Sequence, residues 1–423
     1  MRLIQRAISK RIYYGWYVAG AASGIEFANA ATAIAILTIF IDPMTDELGW
    51  SRTELAAATS LGAVMGASLA PFTGRLVDRI GSRAPLTLGG LLVTVACLYL
   101  ASVQSLLGFY AAFAIARTAD QGLIKIGAPP AVGKWFQRYR GRAIALVFFS
   151  GSTGVIFLAP VVQLFVGTWG WRAAWFLLGA LMLVIGVLPS LALIRRQPED
   201  LRLVMDGGSR QEPRVQQDNE SDDPDEGGAW SLGAVSKTPA FWLIVLSLLF
   251  ASAATAGVTL HLVPYLTGTG LRSGQAVTVI SLMSFSSAAG IVAVGFLAER
   301  VSPLFLMAFL YLLMAGGILL LLSVSTPVQG YLFGAIHGVA SGAVNTLAPI
   351  LWATYYGKGI MGSIHGLSRA FQVAGFALGP LVLGVAYDTS GGYDPGLLFG
   401  VLAAVSAFVL IVISSLSRTD RRI

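Results

Sequence analysis

Charge is what this 423-residue chain has least of: Asp, Glu, Lys and Arg make up 12% of it, against 56% hydrophobic residues. A soluble domain carries about 25% charged residues, so a water-soluble globule is excluded, and the mean hydropathy of +0.74 points to lipid. Cysteine is nearly absent. The single Cys97 excludes an internal disulfide and leaves no set of thiols for a structural metal site. Histidine is scarce too. His261, His337 and His365 stand far apart with no HExxH spacing, and neither a GxSxG nor a P-loop string occurs, so no enzyme, cofactor or metal is expected. The pI near 9.6 is no nucleic-acid signal, because basic residues in a membrane protein mark its cytoplasmic side. The opening MRLIQRAISKRIYYGW runs into a long apolar stretch without a small-residue cleavage site, which predicts a retained anchor.

Glycine, by contrast, is plentiful at 49 residues, as suits helices that approach closely in lipid. Runs long enough to cross ~30 Å of hydrocarbon fall at 14–40, 54–74, 84–102, 107–133, 141–166 and 172–194, then at 239–266, 274–297, 303–323, 328–354, 361–386 and 396–416. The expectation is an all-α membrane protein of twelve transmembrane helices. Most of the 28 lysines and arginines fall on the side of both termini, and the opposite face holds only Arg52, Arg172 and Arg272. Both ends are therefore expected in the cytoplasm, with the chain spanning the cell inner membrane.

Residues 195–238 form the one long loop, and its core RQEPRVQQDNESDDPDEGG is acidic and almost free of apolar residues. That composition predicts a disordered, solvated tether between domains at 1–194 and 239–423. The two halves repeat. GRLVDR (Gly74 to Arg79) answers GFLAER (Gly295 to Arg300) at an offset of 221; Ala128–Pro129 answers Ala348–Pro349 and Pro160 answers Pro380 at 220, and Pro43 answers Pro264 at 221. A shared offset at four landmarks implies a duplicated six-helix unit, for which a substrate site near the midplane is expected.

These features resemble the major facilitator superfamily, whose hallmark G-x-L-x-D-R-x-G-x-R between helices 2 and 3 reads GRLVDRIGSR here, from Gly74 to Arg83. The resemblance implies two pseudo-symmetric six-helix bundles and a gate built from Gly74, Asp78, Arg79, Gly81 and Arg83. The second copy keeps Glu299 and Arg300 but loses the later glycine and arginine. Within the superfamily the chain is similar to bacterial monocarboxylate-transporter-like and oxalate/formate-antiporter-like members, through YYGWYV (Tyr13–Val18), LGWSR (Leu48–Arg52), WGWR (Trp169–Arg172) and RRQPEDL (Arg195–Leu201). It departs from them in helix 8, where those members often carry a cation but Gly274–Leu297 has no ionisable residue. The drug-exporter string GxxxGP is missing from helix 5; GFALGP (Gly375 to Pro380) lies in helix 11 instead.

Charges inside the spans are the remaining signal, since each costs at least ~2.5–3.5 kcal/mol at the bilayer centre. At ~1.5 Å per residue, Arg117, Glu26 and Arg369 reach depths of ~15, ~18 and ~12 Å from the ends at which their helices enter. Arg117, Gln121 and Lys125 share a stripe at i, i+4, i+8, and the repeat offset of 220 carries it onto His337, Ser341 and Asn345. His365, Arg369 and Gln372 give a second stripe in helix 11. Alternatives stay open. Arg117 and Asp120 form an intrahelical neutralising pair or a substrate site. Lys125 snorkels to the interface or joins that site. Glu26 positions Arg117 or carries protons. His261 is a rim residue or a ligand.

Two arginine forks suit a small organic anion. The expected activity is alternating-access transport of a mono- or dicarboxylate, coupled to proton uptake. Arg117, Arg369, Gln121, His337, Ser341, Asn345, Gln372, His365 and Asn29 are expected to line the site, with Glu26 and then Asp120 as proton-linked acids. The other readings are proton-independent anion exchange or export and, behind these, drug export. The expected partners are the anion, protons and the bilayer, with no nucleic acid, and the chain is expected to work as a monomer.

Overall fold

The computed structural model describes residues 13–50, 52–207 and 231–419. The described residues are helical almost throughout and contain no strand. They gather into two compact units. One holds the described residues up to 207 together with 356–366; the other holds 231–355 and 367–419. The acidic core of the long loop, 210–228, lies outside the described residues.

In the first unit the first expected span is two helices. α1 (Tyr14–Ala28) passes through a 3-10 turn, Asn29–Thr32, and an extended Ala33 into α2 (Ile34–Leu48). α3 (Arg52–Ile80) is longer than its apolar run and carries the first half of the hallmark as helix; Gly81, at φ 86°, makes the turn into α4 (Arg83–Leu100). The fourth span is α5 (Leu106–Ala119), a π-helical turn at Asp120–Ile124, and α6 (Lys125–Gly133). α7 (Arg140–Leu181) fuses two expected spans and is broken only at Gly170, whose φ of 83° is open to glycine at little cost. A second π turn, Met182–Val187, leads into α8 (Leu188–Leu193).

The Gly170 break explains two of the sequence strings. It presents Trp171 and Arg172 to Glu47: the Trp171 Nε1–H donates to Glu47 Oε2 at 2.7 Å and Arg172 donates to Oε1. The Arg172 guanidinium also lies 4.1 Å from the centre of the Trp171 ring. Glu47, the residue before LGW, and WGWR thus meet as one clamp in this unit. The core behind it is aromatic, with Phe40 stacked on Trp175 at 4.1 Å and Phe109 on Phe113 at 5.6 Å, all four buried.

The start of the expected tether is folded. Pro198–Leu201 and Met205–Gly207 are 3-10 turns. Arg195 O receives the indole N–H of Trp135 at 3.3 Å, and Glu199 pairs with Lys358 at 2.6 Å. The Asp206 carboxylate accepts the N–H groups of Gln137, Arg138 and Tyr139 at 2.9, 2.7 and 3.4 Å. Those amides precede the first turn of α7 and would otherwise lack partners. The composition that predicts a solvated tether is that of 210–228, outside the described residues; in 195–207 polar side chains bind backbone N–H groups and Lys358.

The second unit begins with α9 (Leu232–Val235) and continues through α10 (Pro239–Gly268), α11 (Ser273–Leu297), α12 (Pro303–Leu322), α13 (Pro327–Tyr356), α14 (Met361–Ser390) and α15 (Asp394–Thr419). Prolines at the first position of α10 and α12 fit helix starts, where no N–H is needed. The first turns of α14 belong to the first unit and its remainder to the second. Seven helical stretches among the described residues are long and apolar enough to cross a membrane by length and composition alone.

Candidate functional site

The first unit buries a polar cluster where the sequence placed its charges. Asp120, 2% exposed, accepts three donors: Asn29 Nδ2 at 2.6 Å, Gln121 Nε2 at 2.7 Å and an Arg117 terminal nitrogen at 2.9 Å. The same Arg117 nitrogen donates to Thr32 O at 3.2 Å. That carbonyl lies in the 3-10 turn that interrupts the first span, so the break supplies an acceptor that a continuous α-helix would have used internally. Arg117 is therefore Asp120's partner, the first of the two roles the sequence left open, and its guanidinium is fixed between Asp120 and Thr32 O. Asp120 sits in the π turn, the register shift often found at functional positions.

Lys125 has a partner within the first unit. Its ammonium pairs with Glu26, which is 3% exposed, and a Cβ on Gly151 would lie 3.2 Å from Glu26 Oε2 and 3.6 Å from Lys125 Nζ. The glycine in α7 thus leaves room for the pair. His365 meets the same place through Nε2, 3.3 Å from Lys125 O. Glu26 and Arg117 consequently belong to two adjacent clusters, with Lys125, not Arg117, as the cation on Glu26.

At the end of α3 the hallmark residues hold the start of α14. Asp78 accepts the N–H groups of Gly362 and Ser363 at 2.8 and 2.6 Å, taking two of the orphan donors at a helix N-terminus, where negative charge is favoured. Lys134 Nζ is 3.9 Å from the same carboxylate and donates to Val77 O at 3.3 Å. Gly74 allows the approach, for a Cβ there would sit 2.2 Å from Gly362 O. Arg79 is exposed, and Arg83 opens α4. A Cβ on Gly81 would lie 3.0 Å from Arg196 Cβ, which brings the folded loop start against the hallmark turn. Glu299 and Arg300 follow the end of α11 in a short turn.

In the second unit, Arg369 donates to Gln372 Oε1 at 3.1 Å and lies 5.8 Å from the centre of the Phe376 ring. Gln372 and Phe376 face a cleft between α10, α13 and α14 whose polar wall includes Ser252, Thr255, Ser341 and Asn345. Ser341 donates to Gly338 O and Asn345 to Ser341 O, at 3.1 and 3.0 Å. His337 is not in that wall. It is fully buried, stacked on Phe333 at 5.3 Å, and neither ring nitrogen has a partner. His261 joins Tyr393 in a ring contact at 5.3 Å and meets Pro380 O at 3.1 Å. The sequence reading missed Gly151, Thr32, Lys134, Ser252 and Thr255; none carries a charge or a spacing that would have singled it out except Lys134.

Long apolar helices that satisfy their charged side chains on interior partners define a polytopic membrane protein. The chain belongs to the Major Facilitator Superfamily, whose profile matches residues 22–380, and it is a transporter, not an enzyme. It is 22% identical to monocarboxylate transporter 12 of Rattus norvegicus, over 97% of this chain and 87% of that one. It is 25% identical to the oxalate:formate antiporter of Oxalobacter formigenes, over 88% and 85%, and 22% identical to the nitrite extrusion protein of Bacillus subtilis, over 89% of each. Among solved structures it is similar to the superfamily transporter FucP in the outward conformation, with a TM-score of 0.72 and 15% identity over 94% of this chain and 98% of that one. That likeness concerns the fold alone.

Proposed function

We propose that the protein carries a small organic anion, a mono- or dicarboxylate, across the cell inner membrane by alternating access, in symport with protons. The observation that carries this reading is the pair of partly buried arginines, Arg117 and Arg369, each held by an uncharged or acidic neighbour within its own unit. A guanidinium has five N–H donors in a planar fork, the geometry that suits a carboxylate. Relatives named for monocarboxylate and for oxalate:formate transport support the anion class.

Asp120, with three donors on it, is the acid that orients Arg117; Glu26, with Lys125, is the acid that exchanges a proton. An anion drawn to Lys125 competes with Glu26 for the ammonium, which links anion binding to this carboxylate. Asp78 acts as a latch on the first turn of α14 that must open and reclose in each cycle. Both termini and the folded loop start are placed in the cytoplasm by the lysine and arginine bias, and the chain works as a monomer.

Uptake into proteoliposomes with an imposed pH gradient tests the coupling. Wild type should concentrate the anion when the outside is acidic, and Glu26→Gln should move it without responding to pH. A wild type that shows counterflow but no response to the gradient would replace symport with exchange, the reading favoured by the antiporter relative.

A further inference from the structure

The Gln372 amide is divided between two environments. Its Oε1 must face Arg369, because a guanidinium offers only donors, and the contact is 3.1 Å. That fixes the amide orientation and turns Nε2 the other way. The residue is 3% exposed and faces the cleft of α10, α13 and α14, and Nε2 has no hydrogen-bond partner. A buried amide with two unused N–H donors is costly unless something accepts from it. Around it Ser341 and Thr255 donate to Gly338 O at 3.1 Å and to Met314 Sδ at 3.7 Å, Asn345 donates to Ser341 O, and none of them accepts from Gln372 Nε2.

We infer that Gln372 is a specificity-determining residue: it holds Arg369 with its carbonyl and reads, with its amide N–H groups, a second oxygen on the anion whose carboxylate Arg369 binds. The inference rests on the carboxylate reading of Arg369 above. The donor is neutral, and the cleft adds hydroxyls and an amide, with Leu248, Ala251 and Val344 as its apolar wall. A neutral acceptor, a hydroxyl or keto oxygen, matches it; a second carboxylate would be desolvated here without a second cation. A sodium ion does not fit, since it would face N–H donors. An unsubstituted aliphatic acid would seal the amide away from water with no acceptor, and a site built to bind an oxygen rejects the analogue that lacks it.

The test uses four acids of one chain length, butyrate and 2-, 3- and 4-hydroxybutyrate, titrated against the purified full-length protein with thermal unfolding as the readout. At least one hydroxy acid should bind wild type about tenfold or more tighter than butyrate, and the position of its hydroxyl reports the distance between Arg369 and Gln372. Gln372→Glu keeps an oxygen on Arg369 but has no N–H to offer, and Gln372→Met removes both. In each variant the preference should shrink to less than about twofold, with butyrate still bound by Gln372→Met. Arg369→Ala should lose all four acids. Equal binding of all four acids by wild type, or a preference that survives in Gln372→Met, would overturn the role of Gln372 and leave Arg369 standing. Wild type that binds none of them, or Arg369→Ala that binds them undiminished, would overturn the carboxylate reading and this inference with it.

Discussion

Glu26 and Lys125 form an ion pair across α1 and α6, 99 residues apart in sequence, beside a glycine that leaves them space. The carboxylate is almost wholly buried and the ammonium about a quarter exposed. Breaking a buried pair by removing one partner is worse than removing both, because it strands a charge. Lys125→Met should therefore lower the unfolding temperature in detergent more than the double variant Lys125→Met with Glu26→Gln. The penalty for the single change is on the order of 2–3 kcal/mol, below the fully buried range because Lys125 is partly wet. A double-mutant cycle showing no coupling would mean that the pair is not formed in solution.

Asp120 makes a distinct prediction. With donors from Asn29, Gln121 and Arg117 on one carboxylate, Asp120→Asn turns one acceptor oxygen into a donor and sets it against them. Anion uptake should fall at least tenfold while the pH response of the residual activity is unchanged, since the proton-linked acid is Glu26. Arg117→Lys should not rescue uptake, because a single ammonium lacks the planar fork that serves Asp120 and the substrate together.

The latch at Asp78 can be tested without touching the charged clusters. Gly74→Ala places a methyl group where Gly362 O stands at 2.2 Å, so α14 must shift, and transport should be lost although the protein still inserts. Asp78→Asn keeps the shape and loses the charge on the helix N-terminus, worth about 0.3–1 kcal/mol. It should shift the balance of conformations, read as altered labelling from the two sides of single cysteines introduced for the purpose, more than it affects folding. An unchanged accessibility pattern in Asp78→Asn would remove the latch.

How much of this was legible in the sequence varies by residue. GRLVDRIGSR could be read directly, because its charges stand out against an apolar chain. So could the stripe of Arg117, Gln121 and Lys125. The π turn that interrupts that stripe left no sequence signal, since it is a shift in backbone hydrogen bonding. Nor did the choice of Lys125 over Arg117 as the partner of Glu26, which depends on how α1 and α6 face each other. The repeat offset paired Arg117 with His337 but said nothing about facing: His337 turns into the packing beside Phe333, while Ser341 and Asn345 reach the cleft. The folded start of the loop was hidden for another reason, because a polar composition does not distinguish carboxylates in water from carboxylates bound to backbone N–H groups.

That folded segment yields a pH prediction. Burial alone would raise the pKa of Glu199, but the hydrogen bond from Lys358, a backbone hydrogen bond and the Lys358 charge outweigh it and hold the carboxyl below its ordinary value. A carboxyl whose pKa is depressed by folding adds stability above its unfolded pKa and loses it as pH falls through the folded one. The segment at 195–207 should therefore stay docked at neutral pH and loosen only below the usual carboxylate range. Protease cleavage within it should rise there, and should rise already at neutral pH in Glu199→Gln. Equal cleavage of wild type and Glu199→Gln at pH 7 would show that the pair does not hold it.

The central claim is that Arg117 and Arg369 bind a carboxylate. Its most direct test is ligand-dependent thermal stabilisation of the purified protein by a panel of mono- and dicarboxylates, with Arg117→Ala and Arg369→Ala beside wild type. The account predicts that at least one carboxylate raises the wild-type unfolding temperature in proportion to the logarithm of its concentration above Kd, and that each arginine variant loses that rise. A carboxylate that stabilises both variants as well as it stabilises wild type, or a panel in which none stabilises wild type, would contradict it.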